Sequence, residues 1–448
     1  MKIESAIKEI GHVIDLWIPW KIRYDFIPGV SIGIVYKGRL IYSGSFGFAD
    51  VSRRTKMKPD TLFHIASHSK MFTAVSILQL VEKGKLRLDD RVSSYISWFK
   101  GRSKHSDAAN ITIRQLLSHT AGVFRDGDTP FWETGDFPKD LKEVFSMKSL
   151  AIENSMRFKY TNFGFALLGL VIEKASGMSY AEYIAKNILK PLGMKHTYPD
   201  YSKGMNGIAT GYGHEVPDQK RIAFKHFSAN AYASATGFIS NVPDMARFIS
   251  ALSLDSKSGI LSRESKKEMM RAHARTNGND EYGLGLDIYY EGNRKIIGHG
   301  GGYHGFTTGT FLDVQNDVAF MVYTNSAGSR PSVIGSSIME AAVNLAREGD
   351  LHSGKKALLR RYEGLYRNSW GDEVVAASGR ALIGFSPDSS DPWNKPRRFL
   401  PTSKRDVFLM KSDNVYGSFD EEAVFRKFRS GKATELLQAD MPLKRVQQ

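Results

Sequence analysis

The sequence predicts an α+β domain followed by a small all-β domain, and three observations lead to this prediction. Apolar residues recur at helical spacing in several segments of the 448-residue chain. Short strands punctuated by glycines occupy Tyr282–Asn325, a pattern typical of an antiparallel sheet. After a polar link at Glu348–Gly354, short strands dominate. We therefore expect one domain over residues 1–350 and a second over residues 351–448.

The composition is that of a well-packed protein and limits its chemistry. Hydrophobic residues make up 42% of the chain and charged residues 24%, which excludes a disordered protein. The absence of cysteine excludes disulfides, thiolate catalysis and cysteine-based metal sites. The net charge of +15 is compatible with nucleic-acid binding, but the lysines and arginines are dispersed and form no long basic run. We expect no nucleic-acid partner.

The sequence has no sign of a membrane segment or an export signal. No apolar run approaches the ~20 residues that a membrane-spanning helix needs. The N-terminal segment carries charges throughout and lacks the apolar core of a signal peptide. We therefore expect a cytoplasmic protein that does not bind membranes.

The first elements are expected to be a helix, a hairpin and a second helix. Residues 4–24 alternate apolar and charged side chains with helical period. Gly29–Tyr36 and Arg39–Gly47 read as two strands of a hairpin. Apolar residues at helical spacing follow Ser67, and Gly84 stands where this helix should end.

The middle of the chain alternates helices with loops. Thr112 is placed to cap a short helix that Gly122 would close. Residues 126–140 are rich in Asp, Gly and Pro and predict a loop, which we expect to influence substrate specificity. Further helices are predicted over Phe165–Ala175, Tyr180–Leu189, Asp244–Leu252 and Val333–Arg347.

The remaining segments predict strands, four in the large domain and six in the small one. Those of the large domain are Gly283–Tyr290, Lys295–Gly298, Thr307–Leu312 and Val318–Asn325. Those of the small domain are Tyr362–Tyr366, Glu373–Ala377, Arg380–Phe385, Asp406–Met410, Val415–Phe419 and Ala423–Phe428. Strands of this number and length predict a small barrel or sandwich.

The candidate chemistry begins with Ser67 and Lys70. Residues three apart lie on one helix face, so the amine of Lys70 is expected beside the hydroxyl of Ser67. A serine hydroxyl needs a base to become a nucleophile, and a desolvated lysine can be that base. The helix N-terminus would favour developing negative charge. By itself the pair is weak evidence, because a capping serine followed by a solvated lysine is common.

Two further motifs supply partners for this pair. Tyr160, brought close to Ser67, would be a proton shuttle whose pKa a nearby cation lowers, and Asn162 could hydrogen-bond both substrate and lysine. The run His299-Gly300-Gly301-Gly302 predicts an edge-like strand on which a substrate backbone can lie. His299 would place a polar or cationic group at the rim. The amides of Ser67 and Gly302 would form an oxyanion hole.

Other interpretations of these residues are weaker. Tyr160 and His299 could be structural residues of the core. Gly300, Gly302 and Gly305 match a dinucleotide-binding fingerprint, but a strand rather than a helix follows them. We therefore expect no cofactor. The histidines show no metal-binding spacing, and no nucleophile elbow of the Gly-x-Ser-x-Gly type occurs, so we expect neither a metal nor that hydrolase fold.

In this order, the motifs resemble those of the serine β-lactamase and D-peptidase superfamily. The chain is most similar to its class C-like branch, peptidase family S12 with CubicO-type proteins, and the resemblance covers roughly residues 28–345. It implies a β-lactamase/transpeptidase-like domain with an antiparallel sheet flanked by helices and an all-helical lobe. The segment from Tyr362 onward resembles the lipocalin-like barrel of some archaeal-type members.

The resemblance also implies functional roles. Ser67 would be the acylated nucleophile, Lys70 its base, Tyr160 a second acid/base, and Asn162 a substrate-binding residue. His299 departs from the lysine that many relatives use to bind a substrate carboxylate, which weakens the case for β-lactams. Short peptides or amides, including those with D-residues, are the expected substrates. Esters, β-lactams and a non-catalytic sensor remain alternatives, and a homo-oligomer is left open.

Overall fold

The computed structural model describes residues 2–101, 107–127, 130–145, 157–348, 356–411 and 420–446. Within these ranges the chain forms a mixed domain with a large antiparallel sheet, followed by a closed eight-stranded barrel. The predicted fold class is therefore confirmed. The expected boundary near residue 350 and the predicted strand Val415–Phe419 lie outside the described residues.

The helices vary from single turns to more than twenty residues. Those of the described ranges are α1 (Lys2–Tyr24), α2 (Ser69–Glu82), α3 (Ile113–Leu117), α4 (Phe131–Thr134), α5 (Leu141–Val144), α6 (Asn162–Ser176), α7 (Tyr180–Ile184), α8 (Lys190–Leu192), α9 (Val242–Leu252), α10 (Arg263–Met269), α11 (Pro331–Glu348) and α12 (Lys356–Leu359). None of them is long and apolar enough to cross a membrane.

The strands divide between the large domain and the barrel. The large domain contains β1 (Gly29–Tyr36), β2 (Arg39–Asp50), β3 (Thr55–Lys56), β4 (Phe63–His64), β5 (Gly211–Tyr212), β6 (Ala223–Phe224), β7 (Ile239–Ser240), β8 (Ala274–Arg275), β9 (Glu281–Tyr282), β10 (Asp287–Glu291), β11 (Arg294–Tyr303), β12 (Phe306–Asp313) and β13 (Val318–Thr324). The barrel consists of β14 (Gly364–Asn368), β15 (Gly371–Ser378), β16 (Ala381–Phe385), β17 (Arg397–Pro401), β18 (Val407–Lys411), β19 (Glu422–Arg429), β20 (Lys432–Gln438) and β21 (Met441–Arg445).

The large sheet has nine strands in the order β3-β2-β1-β13-β12-β11-β10-β9-β8. The first hairpin forms as predicted, and β1 lies between β2 and the late strand β13, with Ile32 opposite Gly44 and Val322. The N-terminal and C-terminal parts of the large domain therefore join at the centre of one sheet. This sheet carries β11, and with it the glycine-rich motif, two strands away from β13.

The two faces of the sheet are covered by different helices. On one face α1 and α11 pack against the inward side chains of the central strands, such as Ile32 and Phe320. On the other face lies a second core that contains α2, α6 and α9. Every residue of α2 from Ser69 to Leu80 is buried, and its polar side chains are hydrogen-bonded. This central helix follows Ser67 directly.

The barrel lies against helix α1. The indole Nε1 of Trp17 donates to the carbonyl of Ser389 at 3.2 Å, and Lys21 Nζ donates to the carbonyl of Asp388 at 2.6 Å. Apolar residues of α1 and of the barrel strand β15 share one hydrophobic core. The helix α1 is thus buried between the sheet and the barrel.

Several predicted elements differ in extent from those observed. The helix expected up to Gly122 ends at Leu117, because His119 takes a left-handed conformation with φ of 57°. Thr112 does cap it, in a reciprocal pair with Gln115. The loop over residues 126–140 contains the short helix α4. Helix α6 begins at Asn162, three residues before its predicted start, because the Thr161 hydroxyl caps it.

The strand predictions were wrong in two places. Gly283–Tyr290 is not one strand, because a turn in which Gly283 N donates to the Leu286 carbonyl separates β9 from β10. The barrel strands β17, β20 and β21 were missed. Each of these contains charged residues on its outer face, and this hides the alternation of apolar residues that marks a strand.

The packing of α11 on the sheet gives a test of the fold. A side chain at Gly335 would overlap the ring of Phe320 on β13. We expect Gly335→Ala to lower the free energy of unfolding by about 1–3 kcal/mol, because overpacking outweighs the gain in helix propensity. Val333→Ala, at an exposed position of the same helix, is the control and should change it by less than about 0.5 kcal/mol. Equal midpoints in urea denaturation would contradict this packing.

Candidate active site

Ser67 is partly exposed to solvent, just before a buried helix. From Thr61 to Leu80 every residue is buried except Ser67, which lies in a single 3₁₀ turn over Ala66–His68. Ala66 has φ of 49°, an uncommon conformation for a residue other than glycine and one that is typical of functional sites. The backbone thus presents one hydroxyl to solvent from an otherwise closed segment.

Strand pairing and side-chain hydrogen bonds hold the turn over Ala66–His68 in place. Strand β4 pairs with β7, and the Ser69 hydroxyl donates to the Ala66 carbonyl at 2.6 Å and accepts from Phe238 N at 3.1 Å. His68 is fully buried and its ring donates to the Ile65 carbonyl at 2.7 Å. Burial lowers the pKa of His68 to about 3, so this imidazole is neutral and structural.

Lys70 lies next to Ser67 and has no contact with solvent. Its amine lies 3.2 Å from Ser67 Oγ, 2.7 Å from Asn162 Oδ1 and 2.8 Å from the Ala235 carbonyl. Because burial removes the ammonium from water, the pKa of Lys70 is lowered well below its ordinary value. The predicted proximity of the two side chains is therefore observed, and the lysine is poised to be neutral.

Tyr160 also contacts the Ser67 hydroxyl. Its OH donates to Ser67 Oγ at 2.7 Å, and its ring centroid lies 4.7 Å from the Lys70 amine. The expectation that a nearby cation lowers its pKa was wrong. Burial raises the pKa of Tyr160, and the neighbouring lysine has itself lost much of its tendency to be charged. Tyr160 is therefore a protonated donor at neutral pH.

Asn162 connects Lys70 to a carboxylate that the sequence did not identify. Its Oδ1 accepts from Lys70, while its Nδ2 donates to Asp126 Oδ1 at 2.6 Å. Asp126 also forms an ion pair with Arg125 at 3.1 Å. The carboxylate of Asp126 fixes the orientation of the Asn162 amide, because an amide rotated by half a turn would place its oxygen against the carboxylate oxygen.

His299 is present in the site but differs from its predicted state. It is 97% buried rather than at the rim, since only 3% of its surface is exposed. Its Nδ1 lies 2.6 Å from the Gly300 carbonyl and its Nε2 lies 3.1 Å from the Tyr282 hydroxyl. Burial lowers the pKa of His299. The side chain is thus a neutral, hydrogen-bonded residue and not a cation.

The run His299-Gly300-Gly301-Gly302 belongs to the half of strand β11 that does not pair with β10. Its partner β10 starts at Asp287, opposite Gly298, so from His299 onward β11 pairs with β12 alone. A side chain at Gly301 would overlap the Ile65 carbonyl and the Thr308 hydroxyl, which shows how closely β11 approaches the Ser67 turn. Gly302 is exposed and has open space around it. The expected edge is therefore observed beside the serine.

The structure adds residues that sequence reasoning missed. Asp126 contacts Asn162, and both Asp287 and Tyr282 contact His299. Ala235 contributes only its carbonyl, from a π-helical segment over Ala233–Gly237. A backbone acceptor leaves no signal in the side chains, so no motif could have identified it.

The fold agrees with the comparisons to known proteins. The family model Beta-lactamase matches residues 23–342, and the chain belongs to this family. Protein flp of Staphylococcus aureus (strain MW2) is 28% identical over 319 residues, which cover 70% of this chain and 62% of that protein. The chain thus spans less than two thirds of the length of this relative.

Solved structures support the same fold. A penicillin-binding protein homologue from Pyrococcus abyssi, described as octameric, has a TM-score of 0.63 and 25% identity, and the match covers 94% of this chain and 97% of its own. A D-amino acid amidase from Ochrobactrum anthropi SV3, solved with D-phenylalanine, has a TM-score of 0.62 and 22% identity, over 78% of this chain and 100% of its own. The latter identity supports the fold alone.

The contact between β11 and the Ser67 turn can be tested through two adjacent glycines. We expect Gly301→Ala to lower the free energy of unfolding by about 1–3 kcal/mol, because its Cβ would meet backbone and buried side chains. Gly302→Ala is the matched control and should change stability by less than about 0.5 kcal/mol, because the space there is open. Chemical denaturation of both variants measures this, and equal losses would contradict the geometry.

The burial of Lys70 predicts a dependence of stability on pH. Between its lowered pKa and the ordinary value of 10.5, the unfolded chain binds more protons at this group than the folded protein does. The free energy of unfolding of the wild type, relative to that of Lys70→Met, should therefore rise with pH in this range, by up to about 1.4 kcal/mol per pH unit. Urea denaturation from neutral to alkaline pH measures the difference. Parallel curves for the two proteins would show that Lys70 keeps its ordinary pKa.

Proposed function

We propose that this protein is a serine peptidase or amidohydrolase that cleaves short peptides or amides through an acyl-enzyme on Ser67. The observation that carries the proposal is the partly exposed hydroxyl of Ser67, which contacts both the Lys70 amine and the Tyr160 hydroxyl. A nucleophile with a base on one side and an acid on the other is the minimum that acyl transfer requires.

In the proposed acylation, neutral Lys70 takes the proton of Ser67 while Oγ bonds to the substrate carbonyl carbon. The two hydrogen bonds from Lys70 to Asn162 and Ala235 leave the amine lone pair available to Ser67. The carbonyl electron pair moves to oxygen, and the amides of Ser67 and Gly302 would stabilise this oxyanion. On collapse the C–N bond breaks and the amine departs with a proton.

Tyr160 is the proposed donor of that proton. Since burial raises its pKa, the hydroxyl stays protonated at neutral pH and already points at Ser67 Oγ. The proton that Lys70 has accepted would then pass to the Tyr160 phenolate and restore its hydroxyl. Water attacks the ester in the second half of the reaction, with the same groups acting in reverse and releasing a carboxylic acid. Asn162 would hold the substrate amide as well as Lys70.

The substrate class follows from chemistry and from the fold. Acyl-enzyme sites with an oxyanion hole also cleave esters, so esters are the second candidate. Neutral, buried His299 does not offer the cation that would bind a β-lactam carboxylate, and this disfavours β-lactams. The D-amino acid amidase fold gives a reason to include D-residues in any substrate set.

We further propose a two-domain, homo-oligomeric protein. The end of the family match at residue 342 and the start of the barrel at Gly364 support a boundary near residue 350. The Pyrococcus abyssi protein, which is octameric, matches nearly the whole chain and motivates the proposed oligomer. Light scattering of the purified protein would test it, and a monomer at all concentrations would contradict it.

The acyl-enzyme proposal predicts the effect of removing one oxygen atom. Ser67→Ala should reduce turnover of D- and L-aminoacyl amides, short peptides and short-chain esters at least about a thousandfold and abolish acylation in intact mass spectra. Ser52→Ala, which removes an exposed serine hydroxyl, serves as the control and should retain wild-type rates. If the wild type turns over none of the panel, the peptidase proposal fails and a sensor becomes the better account.

A further inference from the structure

A carboxylate lies beside the free half of strand β11. Asp287 begins β10, and its side chain is 41% exposed. Its Oδ2 lies 3.4 Å from Gly300 N and 3.7 Å from His299 Nδ1. The carboxylate therefore occupies the edge of β11 that β10 leaves uncovered.

This edge is the one on which a substrate backbone would lie. Residues two apart in a strand direct their N–H groups to the same side, so Gly302 N faces the same edge as Gly300 N, which points at Asp287. The two amides are about 7 Å apart along the strand. A substrate whose carbonyl oxygen meets Gly302 N would therefore place a group one or two residues away from its scissile bond next to Asp287.

The charge of Asp287 is not neutralised by a basic side chain. In the described ranges, its one ion-pair partner is His299, which burial keeps neutral. Asp126, the other carboxylate near the site, differs because Arg125 pairs with it and Asn162 donates to it. His299 is thus neutral and lies beside a carboxylate that forms no ion pair with a lysine or arginine of the described ranges.

The negative charge acts on the groups that react. It opposes the effect of burial on the pKa of Lys70 and adds to the raised pKa of Tyr160. The hydrogen bond from Gly300 N to Asp287 is long, so it leaves the carboxylate with free acceptor capacity. The carboxylate is 41% exposed, so it is accessible to solvent and to a ligand.

We propose that Asp287 is a specificity-determining residue that selects substrates with a positively charged amine near the scissile bond and disfavours substrates with a carboxylate at the same place. The inference rests on the proposed function of Ser67, since it concerns which acyl compounds that site accepts. The expected substrates are aminoacyl amides, or amides with a cationic leaving group. Peptides with an anionic group in this position are expected to be poor substrates.

The experiment compares substrates that differ in charge, and in the second arm these substrates are also similar in size. In one arm, alanine p-nitroanilides of both configurations are used with a free amine, an N-acetyl group or an N-succinyl group. In the other arm, N-acetylalanine amides carry a leaving group of ethylenediamine, propylamine or β-alanine. The ratio of kcat/KM between the cationic, neutral and anionic members is measured for the wild type, Asp287→Asn, Asp287→Lys and Asp280→Asn.

We expect the wild type to prefer the cationic over the anionic member in at least one arm. Asp287→Asn should reduce this preference about fivefold, as for a partly exposed ion pair, and Asp287→Lys should reverse it. Any effect of an Asp287 substitution on the pKa of Lys70 cancels in the ratio of kcat/KM, because all substrates acylate the same serine. Asp280→Asn removes an exposed carboxylate from the loop before β9 and should leave the ratio unchanged. High salt should weaken the wild-type preference.

The outcomes separate this inference from the proposed function. Turnover that depends on Ser67 but shows no preference for charge, or a preference that Asp287→Asn and Asp287→Lys leave unchanged, would overturn the role of Asp287 alone. No turnover and no acylation of the wild type would overturn the proposed function. Circular dichroism of the Asp287 variants, with thermal unfolding, ensures that a changed ratio comes from a folded protein.

Discussion

The site depends on keeping the amine of Lys70 away from water while leaving one hydroxyl accessible. Three separate segments supply its hydrogen-bond partners: the turn before α2 with Ser67, the start of α6 with Asn162, and the π-helical segment with the carbonyl of Ala235. Helix α2, which carries Lys70, packs in the same hydrophobic core as α6 and α9. Burial disfavours the charged amine, and the acceptors on Asn162 and Ala235 limit the cost of burying its N–H groups.

The surrounding contacts serve to hold these segments in register. Asp126 sets the orientation of the Asn162 amide, and Thr161 begins α6 at the correct residue by capping it. Gly301 allows β11 to approach the Ser67 turn, so the free edge of the sheet comes next to the Ser67 hydroxyl. Under the proposed function, substrate selection would fall to groups at this edge, among them the carboxylate of Asp287.

The sequence was sufficient where the chemistry is carried by short motifs of side chains. It identified Ser67, Lys70, Tyr160 and Asn162, which the structure links through three hydrogen bonds. It failed where the environment decides the state of a group. The pKa of Tyr160 is raised rather than lowered, and His299 is buried and neutral, because the degree of burial arises from packing between distant segments. The same reason hides the Ala235 carbonyl and the carboxylate of Asp287.

The most direct test of this account is a titration of Lys70 in the folded protein by NMR, with lysine labelled with ¹³C at Cε and the signal assigned through Lys70→Arg. We predict that the signal reports a neutral amine over a range well below pH 10.5, the ordinary pKa of a lysine. A Lys70 signal that titrates near pH 10.5 would contradict the account, because a protonated amine could not accept the proton of Ser67.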